Sequence, residues 1–239
     1  MISSPHNEKL KLVRKLRERK HREREELFVS EGEDLVEAGL AAGMEPRFVL
    51  SAAGSGLGGE EVEPELLAGV SALGSSTQAI AVWPQRWATE VGRPCIYLHG
   101  VADPGNVGAI VRTAHALVGG TVVLGPDCAD PFGPKAVRAS MGSIFAQALL
   151  RAGVEATPRP RVALVAHGGA ALGALSDVAT FCFGAERKGL PAEVLRSCDL
   201  RATIPLRAAG AESLNVAAAA AIVCERISSP AMQEAAENA

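Results

Sequence analysis

Apolar positions along this chain recur in two periods, and the change from one to the other divides it. Near the start, Leu10, Leu12, Val13 and Leu16 share one broad face at helical spacing, and Asn7 is placed to cap that helix. Lys11, Lys15, Glu18 and Arg22 fall opposite, with Arg14 at the margin, so the helix is expected to dock by one face and leave a basic face free. Residues 27–30 read as a short strand, Ser30-Glu-Gly-Glu33 as a capping box, and Leu35, Val36 and Leu40 as a second helix ending near Gly43. Residues 47–51 form an apolar strand, 52–60 a glycine- and serine-rich loop, 64–70 a short helix and 78–83 a further strand. The stretch 83–94 holds Pro84 and Pro94 and no clear period, which puts a domain boundary between residues 88 and 89.

Beyond that point the pattern changes. Residues 95–99 and 121–124 read as strands, and 161–166 and 180–183 are continuous apolar runs, as in parallel strands covered on both faces. Residues 143–150 read as one more strand. A helix follows Asp103-Pro-Gly-Asn106, with Val107, Ile110, Val111, Ala114, Leu117 and Val118 on its core face, and another spans 135–141. Pro158 and Pro160 disfavour a helix between residues 151 and 160. Ser213 is placed to cap a last helix whose run 216–227 is nearly all alanine and aliphatic. The order is that of a wound α/β sheet.

Composition narrows the classes. At 239 residues the chain has room for one large domain or two smaller ones. Its five cysteines are far apart and form no CxxC pair, so buried reduced thiols are expected. The five histidines make no HxxxH or HExxH, and no metal is expected. A polar, charged start and the lack of a long apolar run point to a cytoplasmic protein that does not meet a membrane. The net charge of −3 conceals an uneven distribution: nine of the 24 Lys and Arg residues lie between Glu8 and Glu26, against five acids. That basic helix is a candidate for phosphate contact, although its interspersed glutamates blunt it.

A nucleotide-dependent α/β enzyme is the natural rival for such a sheet, but its marks are missing. Gly100, Gly105 and Gly108 do not make GxGxxG, and no GxxxxGK[ST] occurs. Gly54-Ser-Gly-Leu-Gly-Gly59 reads as a flexible loop of the first domain.

Three other blocks carry the chemistry: Asp103-Pro-Gly-Asn-Val-Gly-Ala-Ile-Val-Arg-Thr-Ala114, Phe183-Gly-Ala-Glu-Arg-Lys-Gly-Leu190, and Ile204-Pro-Leu206 followed by Ser213-Leu-Asn-Val216. In this order and at this spacing they resemble the three motifs of the SpoU-type RNA ribose 2′-O-methyltransferases, of the SPOUT class. Asn7 with the basic helix, Phe28-Val-Ser-Glu-Gly32 and Gln78-Ala-Ile-Ala-Val82 resemble the small substrate-binding domain that precedes the catalytic domain in many of these enzymes. Two departures stand out: Arg187 occupies a place that is often glycine, and the interval from Ile204 to Ser213 is one residue longer than the commonest form.

The resemblance implies an α/β architecture, with a trefoil-knotted, parallel-sheet SPOUT catalytic domain at 89–239 behind a small α/β RNA-binding domain at 1–88. It implies S-adenosyl-L-methionine as cofactor, lined by Gly184, Ile204, Leu206 and Leu214. It makes Arg112 the catalytic residue, with Asn106, Glu186, Ser213 and Asn215 around it, in a homodimer without metal. The substrate is then RNA, with ribosomal RNA favoured and transfer RNA the nearest alternative; a catalytically idle RNA-binding module is the other class to exclude. Read from the residues alone, Arg112 is an exposed helical arginine and Asn106 a helix cap. A protonated guanidinium is a poor base, so orienting the hydroxyl or steadying developing oxyanion charge suits Arg112 better.

Overall fold

The computed structural model describes residues 1–72, 77–172, 178–207 and 212–228. The chain forms two compact units, one of Met1–Arg86 with Asp130–Ala146 and one of Trp87–Ala129 with Gln147–Ala239.

In the first unit, α1 (Glu8–Lys15) starts where Asn7 Oδ1 accepts the Lys9 N–H at 2.8 Å, and it buries Leu10 and Val13. The single basic helix expected from the pattern is two. The chain turns after Leu16 and resumes as α2 (Arg19–Glu25), which stops at Glu26 in a left-handed conformation. Arg22, expected on the free basic face, is only 4% exposed. Its Nη2 lies 2.7 Å from Asp130 Oδ2, and its Nη1 donates to the carbonyls of Leu16 and Arg17 at 2.8 and 2.7 Å. A helix end leaves carbonyls without intrahelical partners. Here one guanidinium satisfies two from the break, which a wheel drawn for a continuous helix cannot show.

The sheet of this unit has the order β1-β4-β2-β3. β1 (Leu27–Glu31) and β2 (Phe48–Ala52) pair antiparallel with β4 (Ala79–Pro84), and β3 (Glu60–Val62) runs parallel to β2. The capping box expected at Ser30 does not form. Ser30 is still inside β1, where its hydroxyl accepts the Trp83 indole N–H at 2.9 Å, and α3 (Glu33–Ala41) begins after Gly32 without a side-chain cap. Glu31, 6% exposed, accepts the Ser71 hydroxyl at 2.5 Å and the Ala72 N–H at 2.7 Å, fastening the chain just after α4 (Pro64–Val70). The segment 130–146 packs within the same unit. Phe132 and Phe145 lie 4.9 Å from Phe28 and Trp83 respectively, ring centre to ring centre, and Arg138 on the helix Pro134–Ser140 (α6) holds both oxygens of Asp34.

The second unit is a seven-stranded, all-parallel sheet of order β7-β6-β5-β10-β8-β11-β9. Its strands are β5 (Cys95–Leu98), β6 (Thr121–Leu124), β7 (Ala148–Arg151), β8 (Arg161–Leu164), β9 (Ala170–Ala171), β10 (Thr180–Phe183) and β11 (Leu200–Thr203). Every residue of β5, β6 and β10 is buried, in β10 as its continuous apolar run predicts. The helices are α5 (Pro104–Leu117), α7 (Ala192–Ser197) and α8 (Val216–Ser228), and α5 packs on α8. Residues 143–150 are not one strand: a 3-10 turn, Ser143–Phe145, precedes β7. Between β7 and β8 only a 3-10 turn, Val154–Ala156, occurs among residues 151–160, in keeping with Pro158 and Pro160.

All five cysteines are free thiols, and burial pushes Cys95 up to about 12. Among the described residues no cluster of three or more His, Cys, Asp or Glu is arranged to hold a metal ion, and no helix is long and apolar enough to cross a membrane.

Replacing Arg22 by Ala removes the guanidinium from the buried Asp130 carboxylate, whose Oδ1 still accepts the Phe132 N–H. The loss expected is about 3–5 kcal/mol, read as a fall in the urea midpoint. The exposed Lys20–Glu18 pair should matter far less, with Lys20→Ala costing under about 1 kcal/mol.

Candidate active site

Connections in the parallel sheet reverse direction at its centre. The chain moves outward from β5 to β6 and β7, then returns to the other side, and β10 pairs with β5 and β8. Such a reversal opens a crevice outside the carboxyl ends of the strands, where ligands bind in wound α/β sheets. The loops leaving β5, β8, β10 and β11 all lie there.

At the end of β10 the turn depends on a glycine. A Cβ on Gly184 would stand 2.1 Å from the carbonyl carbon of Gly189 and 2.3 Å from the nitrogen of Leu190, which no side chain tolerates. The returning backbone is fastened by the Gly189 N–H on the Ala185 carbonyl at 2.8 Å, with Gly189 at φ 64°. Arg187 lies within this turn and is not one of the non-glycine residues of positive φ among the described residues, Glu26, Asp127 and Met141. An arginine is therefore accommodated without strain where glycine is common.

A pocket of about 130 Å³ lies beside the turn. Gly184, Ile204, Leu206 and Leu214 all line it, joined by Phe183 and by Leu164 at the end of β8. Three strand ends and the approach to α8 thus converge on one largely apolar hollow. Of the interval between Ile204 and Ser213, residues 208–211 lie outside the described residues.

The polar residues meet at the edge of this pocket. Asp103, not Asn106, caps α5, its Oδ1 accepting the Asn106 N–H at 3.0 Å. The Asn106 side chain is thereby released for other partners. Its Nδ2 donates to Glu186 Oε1, and its Oδ1 accepts from Asn215 Nδ2 at 3.1 Å. Asn215 Oδ1 in turn accepts the backbone N–H groups of Ala217 and Ala218 at 2.9 and 3.3 Å, so Asn215 caps α8, where Ser213 was expected to do so. The run from the α8 amides through Asn215 and Asn106 to Glu186 has one donor direction throughout, which sets both amide orientations. Ser213 and Glu186 line the pocket itself.

Arg112 is not brought to this cluster. It stands six residues beyond Asn106 on α5, about 9 Å along the axis and roughly 120° around it. The guanidinium is exposed and has no hydrogen-bonding or ion-pair partner among the described residues. Sequence reasoning missed the capping role of Asp103, although Asp followed by Pro is a recognisable helix start. It also missed Leu164, Val165 and Ala166 at the exit of β8, all of which line the pocket; the position of β8 beside the reversal was the missing signal.

An all-parallel wound sheet with a ligand pocket at its reversal point, edged by an asparagine-carboxylate cluster, defines an α/β domain that binds a small molecule across its strand ends. Residues 93–225 match the SpoU rRNA Methylase family, and residues 7–84 match the MRM3-like substrate binding domain. The chain belongs to the SpoU rRNA methylase family. It is 32% identical over 245 residues to 23S rRNA (guanosine(2553)-2′-O)-methyltransferase RlmP of Bacillus subtilis, covering 93% of this chain and 96% of that protein. It is also 32% identical over 189 residues to 23S rRNA (uridine(2479)-2′-O)-methyltransferase of Streptomyces viridochromogenes, covering 70% and 61% respectively. The AdoMet-bound rRNA methyltransferase from Sinorhizobium meliloti superposes with a TM-score of 0.81 at 28% identity, over 93% of this chain and 95% of that one.

Asn215→Ala should remove the cap of α8 and lower stability by about 1 kcal/mol in urea unfolding. Ser213→Ala should leave stability within about 0.5 kcal/mol of the parent.

Proposed function

We propose that this chain methylates a ribose 2′-hydroxyl of ribosomal RNA, using S-adenosylmethionine held in the pocket at the ends of β8, β10 and β11. The observation that carries the reading is convergence: Gly184, Ile204, Leu206 and Leu214, distant in sequence, line one pocket, and Asn106, Glu186 and Asn215 are hydrogen-bonded to one another at its edge. The names of the relatives, ribosomal RNA 2′-O-methyltransferases, favour that substrate over transfer RNA.

The lining suits the cofactor. Apolar side chains and the backbone of the Gly184 turn offer flat contact and uncharged hydrogen-bonding groups, as an adenine moiety requires. S-adenosylmethionine supplies, when bound, an electrophilic methyl group on a sulfonium. The chain's own residues do the rest. Glu186 and Asn215 hold the Asn106 amide in one orientation, and Ser213 adds a neutral hydroxyl to the pocket wall. Arg112 carries the positive charge that orients the ribose or its phosphate and steadies charge developing on the 2′-oxygen.

Since Arg112 is directed away from the cluster of its own chain, the reading includes a homodimer in which it serves the partner's site. Exposed Leu117 on α5 and Ile222 on α8, two helices that pack together, support such an interface. The first unit then serves as the RNA-binding domain and the second as the catalytic one. A trefoil threading of the last segment belongs to the same reading, supported by β10 lying between β5 and β8 and by the return of α8 onto α5.

Incubation with labelled S-adenosylmethionine and separated ribosomal and transfer RNA fractions tests the function. Label should enter ribosomal RNA as alkali-resistant 2′-O-methyl, and Arg112→Ala should cut turnover by about 10²–10³-fold while cofactor binding persists. Label in transfer RNA alone would replace the substrate, and unchanged turnover in the variant would remove Arg112 from the mechanism. Light scattering should give twice the chain mass at micromolar concentration; a monomer that retains activity would rule out the shared site.

A further inference from the structure

The basic charge of this chain is concentrated near its N-terminus, yet the structure neutralises it there. Lys9, Lys11, Arg19, Lys20, Arg22 and Arg24 each pair with a carboxylate: Glu60, Glu8, Glu23, Glu18, Asp130 and Glu25 respectively. Arg14 and Arg17 donate to the backbone carbonyls of Pro5 and Ser71 at 2.9 and 2.6 Å. Lys15 alone of that group lacks a hydrogen-bonded partner, and it lies within electrostatic reach of Glu8 and Glu25. A polyanion approaching this helix pair meets cations already engaged.

The second unit differs. Arg187, Lys188 and Arg207 are exposed, and none has a hydrogen bond or ion pair among the described residues. Their placement is specific. Glu186 and Gly189 line the pocket, so Arg187 and Lys188 form the tip of the turn between two lining residues; Arg207 directly follows Leu206, another lining residue. The turn is closed by the Gly189 N–H to Ala185 carbonyl bond at 2.8 Å, with Gly184 packed against the backbone of Gly189 and Leu190. A tip whose backbone is already held spares the backbone share of the ordering cost when its cations meet an anion, leaving the rotamer freedom of the two side chains as the cost.

We propose that Arg187, Lys188 and Arg207 form a phosphate-binding rim that holds the backbone of single-stranded RNA against the pocket, and that this rim, rather than the basic N-terminal helices, sets the salt dependence of RNA binding. The proposal rests on the function proposed above. Each cation that neutralises a phosphate of a single strand releases a counterion and contributes about 0.7 to the slope of log K against log salt. Arginine at position 187 adds a planar fork able to take two phosphate oxygens, which a glycine there cannot supply.

The test compares the full-length parent, the triple variant Arg187→Gln, Lys188→Gln, Arg207→Gln, and a control, Lys11→Gln with Lys20→Gln. Binding of mixed-sequence single-stranded RNA is measured across a salt series, with S-adenosylmethionine affinity measured on the same samples. The rim variant should lose about 2 from the slope and raise KM for RNA at least about tenfold, with kcat and cofactor affinity kept; the control should lose less than about 0.5. Arg187→Lys should restore part of the slope. A parental slope in the rim variant, or a larger loss in the control, overturns the proposal while leaving the function intact. A fall in cofactor affinity with the slope unchanged would assign these cations to the cofactor and overturn it as well. A parent that binds S-adenosylmethionine but neither the mixed-sequence RNA nor ribosomal RNA at low salt would overturn both the function and the rim.

Discussion

The insertion of β10 between β5 and β8 is the constraint on which the second unit depends. A strand flanked on both sides and buried on both faces must be apolar throughout, and Thr180-Phe-Cys-Phe183 meets that with its one hydroxyl bonded to the Pro158 carbonyl. The same burial forces the chain to turn at once on leaving the sheet, in space already occupied by the backbone of Gly189 and Leu190. A glycine at 184 follows from that crowding. The pocket, the short turn and the placement of Glu186 are consequences of one strand threaded into the middle of a sheet.

Three amides and carboxylates then tie together segments that the sheet only brings near. Asn106 stands at the start of α5, Glu186 on the turn after β10, and Asn215 at the start of α8. Each hydrogen bond is modest by itself. Their shared direction matters more, because the two α8 amides on Asn215 orient its side chain, and that orientation passes to Asn106 and Glu186. An asparagine that capped its own helix would be unavailable for this role. Asp103 takes over the capping and so makes the arrangement possible.

Charge shows the same division between local and global. A count along the chain places its cations near the N-terminus, but folding matches nearly all of those to carboxylates or carbonyls, with Arg22 and Asp130 paired across 108 positions of sequence. Among the cations without such partners, Arg187, Lys188 and Arg207 adjoin residues that line the pocket. Net charge and runs of like residues therefore describe the unfolded chain better than the surface that a polyanion meets.

The sequence was sufficient for whatever depends on period and on local backbone chemistry. It yielded the helix start at Asn7, the strands near 95–99 and 121–124, the buried parallel strand at 180–183, the absence of a helix before Pro158 and Pro160, and the motif blocks that resemble the family to which the chain belongs. Those features reside in side-chain periodicity, proline and glycine, which act within a few residues. Partner choice was beyond it. Ser30 looked like a helix cap and is a strand residue bonded to Trp83; Arg22 looked solvent-facing and is buried on Asp130; Asn106 and Ser213 looked like caps, and Asp103 and Asn215 are. Each polar group had more than one acceptable partner within the local sequence, and only the packing of distant segments made one of them available.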